Sequence, residues 1–117
     1  MSGSTSYHAG LCAEDSVSLA YSRSGHSIVA RRWRGSAGEI DLIARNGDQL
    51  VFIEVKKSRS HAAAAERLTS HQIRRICQTA AEFLGGEPAG QDTNARFDVV
   101  LVDAIGQIEI LENAFAA

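Results

Sequence analysis

The stretch that decides the fold is Gly38-Glu39-Ile40-Asp41-Leu42-Ile43, then the turn Asn46-Gly47-Asp48, then Leu50-Val51-Phe52-Ile53-Glu54-Val55-Lys56. Apolar runs of high β propensity flank a turn that accepts positive φ, a pattern that predicts two short strands joined as a hairpin. Side chains alternate between the two faces of a strand. Asp41 therefore shares its face with Glu39 and Ile43, and Glu54 shares its face with Phe52 and Lys56.

The turn decides how the two acids meet across the hairpin. If the loop is Gly47-Asp48, Asp41 lies directly opposite Glu54; if it is Asn46-Gly47, Asp41 lies one diagonal away, roughly 7–8 Å from Glu54. Both loops put Asp41, Glu54 and Lys56 on one face, whereas an odd-length loop without a bulge would separate them. Because that face is otherwise apolar, the pattern favours a metal site at the edge of a cleft. The alternative is a charged face that points into solvent.

The same residues carry a resemblance. An acid followed, across a turn, by Glu-x-Lys on an apolar strand resembles the PD-(D/E)xK nuclease superfamily. The longer match of GEIDLI at 38–43, VFIEVK at 51–56 and RFDVV at 96–100 resembles the YraN-like family of predicted endonucleases, which is similar to archaeal Holliday junction resolvases. It covers about residues 10–115 and implies a restriction-endonuclease-like fold and a metal-dependent endonuclease. Gln72 departs from the family, which often has a lysine there.

The chemistry that follows is phosphodiester hydrolysis. Asp41 and Glu54 offer the hard carboxylate oxygens that Mg²⁺ or Mn²⁺ prefers, and the Val55 carbonyl is a candidate further ligand. Lys56 is predicted to act electrostatically on the developing charge or the attacking water, rather than as a base. The resemblance to resolvases implies that Glu14, from the first helix, completes the metal and catalytic set. The alternative for Glu14 is a solvated acid in the first turn of a helix.

Periodicity along the chain predicts an α/β fold: a mixed β-sheet flanked by helices in the order α-β-β-β-α-β-β. The predicted elements are a mobile tail over 1–8, a helix over 9–24, strands over 26–33, 38–43 and 50–56, a helix over 70–84, and strands over 96–102 and 107–111. Residues 9–117 are expected to form a single endonuclease-like domain. The alanine run at 62–65 either begins a helix or belongs to a mobile flap.

Charge is distributed unevenly along the chain. Residues 16–81 contain 11 of the 12 Arg and Lys residues and five acids, whereas residues 82–117 contain seven acids and one base. This asymmetry predicts a basic surface beside the acidic site, where phosphate would be held; the alternative is an ordinary mixed surface. The candidate nucleic-acid contacts are Arg31, Arg32, Trp33, Arg34, Lys57, Arg59, Gln72 and Arg75. Arg31 to Gly38 is predicted to be a loop, with Trp33 either stacking on bases or packing into the core.

Other functional classes find little support. The four histidines lack zinc-site spacing, and no phosphate loop or nucleophile elbow occurs. No signal peptide or membrane-length apolar run is evident, and Cys12 and Cys77 are isolated, so a cytoplasmic protein with reduced thiols and no membrane partner is expected. The expected partner is branched or structured DNA, with Mg²⁺ or Mn²⁺ as cofactor. The alternatives are a non-catalytic module that binds nucleic acid or protein, and a homodimer formed through the C-terminal strands.

Overall fold

The computed structural model describes residues 2–116 and the side chains of residues 13–116. Over this part of the chain the elements are α1 (Ser2–Arg23), β1 (Ser27–Arg34), β2 (Glu39–Asn46), β3 (Gln49–Lys57), α2 (His61–Ala65), α3 (Ser70–Leu84), a 3₁₀ turn (Gly90–Asp92), β4 (Ala95–Val102) and β5 (Ile108–Phe115). The predicted mixed α/β fold and its element order are confirmed. The alanine run forms the short α2.

The five strands form one sheet in the order β1-β2-β3-β4-β5, in which only β3 and β4 run parallel. α1 covers one face, where it packs on alternate residues of the central strands; α3 covers the other face. The core under α1 contains Ala13, Val17, Tyr21, Leu42, Ala44, Val51, Ile53, Val100 and Val102. The core under α3 contains Ile40, Ile43, Leu50, Phe52, Ile76, Ala80, Leu84 and Phe97.

The hairpin between β2 and β3 uses one of the two two-residue loops that the sequence allows. Asn46 pairs with Gln49, so the loop is Gly47-Asp48, and Gly47 has a φ of 63°. A positive φ at the first loop residue suits the right-handed twist of the flanking strands and favours glycine. This register fixes every later pair of the hairpin.

Three predicted boundaries differ from the structure. The predicted loop over Arg31 to Gly38 begins later than expected: β1 continues to Arg34 and pairs with β2 up to Glu39, so that only residues 35–38 form the loop. Pairing satisfies the backbone groups that a loop would leave to solvent. β5 lies at the edge of the sheet, is eight residues long and extends to Phe115, beyond the predicted end at residue 111.

The first helix begins at Ser2, earlier than the predicted start at residue 9. It therefore includes most of the segment that was predicted to be a tail, and the mobility of that segment stays a prediction. Met1 and the side chain of Cys12 lie outside the described residues, whereas Cys77 is a half-buried free thiol. Among the described residues, no helix is both long and apolar enough to cross a bilayer.

Candidate active site

The sheet opens into a wedge at one end of the hairpin. Pairing between β2 and β3 ends at Leu42↔Ile53, although β2 remains paired with β1 up to Glu39 and β3 remains paired with β4 up to Lys57. Each strand is thus held by its outer neighbour while the inner ladder stops. Continuing the register by one residue places Asp41 opposite Glu54, as the Gly47-Asp48 loop predicts.

The Asp41 carboxylate acts as a hydrogen-bond acceptor at the point where backbone pairing between β2 and β3 ends. Its Oδ2 accepts a hydrogen bond from the Val55 backbone N–H at 2.8 Å. The Asp41 and Glu54 carboxyl groups lie close enough to affect each other's ionisation. Two carboxyl groups at this distance favour a state in which one of them carries a proton. The wedge therefore holds two acids side by side in an arrangement that favours the protonated form of one of them.

Glu54 is the acid that retains the proton. Burial raises the pKa of Glu54 to about 9, with the hydrogen bond to Asp41 and the charge of Asp41 adding to the effect of burial. The positive charge of Lys56 acts in the opposite direction but does not cancel these effects. A strongly perturbed acid beside a second acid, at an opening in a sheet, is a candidate functional group with a physical cause.

The two lysines after Glu54 lie on opposite faces of β3. By strand alternation Lys56 shares the face of Glu54, on the α3 side. Lys57 lies on the α1 side, where it lines a cavity with Ala13 and Ser16. Of the two, only Lys56 is therefore placed beside the carboxylate pair.

A cleft of about 220 Å³ opens above the wedge. Its lining residues are Gly38, Glu39, Glu54, Gln72, Arg75 and Ile76. α3 supplies the last three because Thr69 caps the helix, accepting a hydrogen bond from the Gln72 backbone N–H at 3.1 Å, and thereby places the first two turns over the site. The Oε1 atom of Gln72 is buried without a hydrogen-bond partner. Gln72 and Arg75, which were predicted to contact nucleic acid, thus line the same cleft as Glu54.

The loop from Gly35 to Gly38 is docked onto α3. The Glu82 carboxylate accepts hydrogen bonds from the backbone N–H and the hydroxyl of Ser36, at 2.8 and 2.5 Å. Arg75 Nε donates to the Ala37 carbonyl oxygen at 2.9 Å. A Cβ atom at Gly35 would come too close to the Glu82 carboxylate and Trp33, so a larger residue there would displace the Glu82 side chain from Ser36. Sequence patterns did not reveal this contact, because Glu82 is distant in the chain.

Most of the predicted contacts on β1 are already engaged within the protein. Arg31 pairs with Asp15 at 3.0 Å, Arg32 pairs with Glu14 at 3.2 Å, and Arg34 pairs with Glu39 at 3.1 Å. Trp33 packs edge-on against Phe83 at the margin of the core under α3, with ring centroids 5.3 Å apart. Arg59 is exposed in the loop between β3 and α2.

The structure does not bring Glu14 into the carboxylate pair. Glu14 lies on α1, which covers the opposite face of the sheet, and its carboxylate contacts Arg32. Across residues 13–116, no three His, Cys, Asp or Glu side chains are grouped as a metal centre would need. The protein side chains that gather at the wedge are therefore Asp41, Glu54 and Lys56.

These features define a small α/β protein with an acidic pair, one of the acids protonated, in the open end of its sheet. The chain belongs to the family described as Uncharacterised protein family UPF0102, the YraN-like family, whose model matches residues 13–102.

Relatives from several organisms match along nearly the whole chain. A UPF0102 protein of Cereibacter sphaeroides is 64% identical over 117 residues, with all of both chains covered. A UPF0102 protein of Ruegeria pomeroyi is 57% identical over 97% of this chain and 92% of its own length. One from Dinoroseobacter shibae is 44% identical over 95% of this chain and 83% of its own length.

Proposed function

We propose that this protein is a metal-dependent endonuclease that hydrolyses phosphodiester bonds in branched or structured DNA. The observation that carries the proposal is the Asp41–Glu54 pair, which lies in the wedge with Lys56 on the same face. The pattern of an acid followed by Glu-x-Lys resembles that of nucleases of the PD-(D/E)xK type. This resemblance indicates nucleic acid as the substrate class. A purely structural role gives no reason to place two acids side by side in a half-buried position.

The donor chemistry of the wedge fits a hard divalent cation. Once the pair has lost its proton, the two carboxylates present oxygen ligands with two negative charges. Such a ligand set suits Mg²⁺ or Mn²⁺. Asp41 and Glu54 would hold the ion, with the Val55 carbonyl as a candidate further ligand. With so few protein ligands, Mg²⁺ would keep several water molecules, as it usually does. When bound, the ion supplies Lewis-acid polarisation of the phosphate and a more acidic water.

The chain's own residues supply the other parts of the reaction. Glu54 would release its proton to water on binding of a divalent cation, so that one positive charge would be replaced by two at the carboxylate pair. Lys56 is a fixed cation on the same face and stabilises charge that develops on the phosphate oxygens. The cleft of about 220 Å³ between β3 and α3, which Glu54 lines, has room for a phosphate group.

A cleavage assay tests the proposal. The substrates are four-way junctions, flapped duplexes, linear duplexes and single strands of DNA, each with Mg²⁺ or Mn²⁺. The proposal expects metal-dependent cleavage of at least one branched substrate, with the Asp41→Asn variant at least about 100-fold slower. Absence of cleavage by the wild-type protein across all substrates and both metals would contradict it.

A non-catalytic module with the same fold is the second candidate. One observation favours it: Glu14 is paired with Arg32, and across residues 13–116 no third acid joins Asp41 and Glu54. Such a module would bind branched DNA with similar affinity in the wild-type and Lys56→Ala proteins and would cleave none of the substrates.

A further inference from the structure

The arginine at the rim of the cleft differs from those of β1. Arg75 is exposed and lines the cleft with Glu54. Within the described part of the chain, its side chain has one hydrogen-bond partner, the Ala37 carbonyl oxygen, which receives the Nε–H at 2.9 Å. The two terminal nitrogens are left for a ligand. By contrast, Arg31 and Arg34 are each paired with a carboxylate.

The bond to Ala37 sets the orientation of the guanidinium group. A guanidinium is planar, and its donors form a rigid fork that matches two oxygens of a phosphate. Fixing Nε on one side restricts the rotation of the whole group. The position of Ala37 is itself maintained by the neighbouring Ser36, which the Glu82 carboxylate holds through two hydrogen bonds. A chain of contacts from Glu82 thus pre-orients Arg75, which lowers the entropy lost on binding an anion.

Arg74, the residue before Arg75 on α3, faces a different direction from Arg75. Residues one apart on a helix differ by about 100° around its axis. Arg74 is exposed, does not line the cleft and has no acidic partner within the described side chains. The two residues have the same chemistry and nearly the same distance from the start of the helix. Arg74 is therefore a natural control for Arg75.

We infer that Arg75 binds the scissile phosphate of the DNA, as a fork held in place by Ala37, and that Glu82 is its positioning residue. This inference rests on the proposed function. It adds to the Asp41–Glu54 pair and Lys56 a residue that binds the phosphate through two donors. It also moves the main phosphate contact from β1, where the arginines are ion-paired, to the first two turns of α3.

The test measures DNA binding without cleavage or metal. In a Glu54→Gln background and in the presence of a chelator, fluorescence anisotropy follows a fluorescein-labelled four-way junction across a series of salt concentrations. Arg75→Ala and Arg75→Lys are compared with Arg74→Ala and Arg74→Lys. We expect both Arg75 variants to lose about 10-fold or more in affinity, since lysine lacks the fork. The Arg75→Ala variant should also lower the salt slope by about 0.9, the value of one phosphate contact.

The Arg74 variants are expected to stay within about threefold of the parent, in line with an exposed cation outside the cleft. The Glu82→Gln variant, which keeps its shape but weakens the hold on Ser36, should reproduce part of the Arg75→Lys loss. It should cause no further loss when combined with Arg75→Ala, a result that a general loss of stability would not give. Thermal unfolding confirms that each variant is folded.

Several results would overturn the inference. Equal losses at Arg74 and Arg75, or a larger loss when Arg31 and Arg34 are replaced together, would move the contact away from the cleft. Full affinity in the Arg75→Lys variant would show that the positive charge is sufficient and that two-point binding by the guanidinium group is not needed. If the wild type cleaves DNA and Arg75→Ala cleaves equally well, the inference fails while the proposed function stands. If the parent does not bind DNA without metal, the inference fails, and the cleavage assay with the wild-type protein alone decides the proposed function.

Discussion

Two neighbouring places in the sheet hold acids away from open solvent, one fully buried and one half-buried, and they compensate the charge in different ways. Asp98 on β4 is completely buried and pairs with Ile53, one residue before Glu54. Its carboxylate accepts hydrogen bonds from the Tyr21 hydroxyl at 2.7 Å, from Arg96 Nε at 3.0 Å and from the Asn113 backbone N–H at 2.9 Å. This acid has a cation and neutral donors around it.

The wedge provides much less for its two acids. Asp41 receives one backbone hydrogen bond, from Val55, and Glu54 lies beside it. A compensated acid such as Asp98 stabilises the fold, whereas two neighbouring acids with fewer hydrogen-bond donors cost stability. This difference indicates a structural role for Asp98 and favours the wedge as the candidate ligand site.

The largest expected effect concerns the two lysines on opposite faces of β3. Lys56→Ala should slow DNA cleavage by at least about 100-fold, because it removes a fixed charge beside the reacting phosphate. Lys57→Ala removes the same charge one residue away, on the α1 side, and should retain cleavage within about threefold. Single-turnover gel assays with one branched substrate measure both. Similar rates for the two variants would remove the catalytic role of Lys56.

The next effect compares the two acids by the same substitution. Asp98→Asn should lower the free energy of unfolding by about 3 kcal/mol, because Arg96 loses its charged partner in a buried place. Asp41→Asn keeps an oxygen for the Val55 N–H and removes a charge next to Glu54, so it should change stability by less than about 1 kcal/mol. Urea unfolding at neutral pH measures both. A larger loss in Asp41→Asn would reverse the assignment of the two sites.

A smaller effect follows from the raised pKa of Glu54. Because the folded state holds this proton more tightly than the unfolded chain, the associated stability is full below the ordinary carboxyl pKa and is lost as pH rises toward 9. Glu54→Gln cannot ionise and should escape this loss. At pH 8 the variant should therefore exceed the wild type by at least about 1.4 kcal/mol, the value of one pKa unit.

Thermal unfolding between pH 5 and pH 9 without divalent metal checks this effect. The two curves should converge at pH 5 and separate steadily above it. Parallel curves across the whole range would show that Glu54 is not the group that holds the proton.

Local patterns in the sequence were sufficient for most of the fold. The Asn46-Gly47-Asp48 turn allowed two strand registers, and in both of them Asp41 and Glu54 lie close together on one face. Helical periodicity predicted both ends of α3 correctly. These features depend on neighbours in the chain, so a single sequence contains them.

Contacts between distant residues were not accessible in the same way. The ion pairs of the β1 arginines and the hold of Glu82 on Ser36 join positions up to 46 apart, and nothing local predicts them. One signal was present but unused: Arg96 and Asp98 lie two apart on an apolar strand and so share a face. That spacing is the pattern of a compensated buried acid.

The most direct test of the account is calorimetric titration with Mn²⁺ and with Mg²⁺ near pH 7, in two buffers of different ionisation enthalpy. The account predicts that the ion displaces the shared proton, so about one proton is released per ion bound. Asp41→Asn should bind the ion much more weakly, and Glu54→Gln should also lose the proton release. Metal binding that is unchanged in both variants, or that releases no proton in the wild type, would contradict the assignment of the wedge as a metal site.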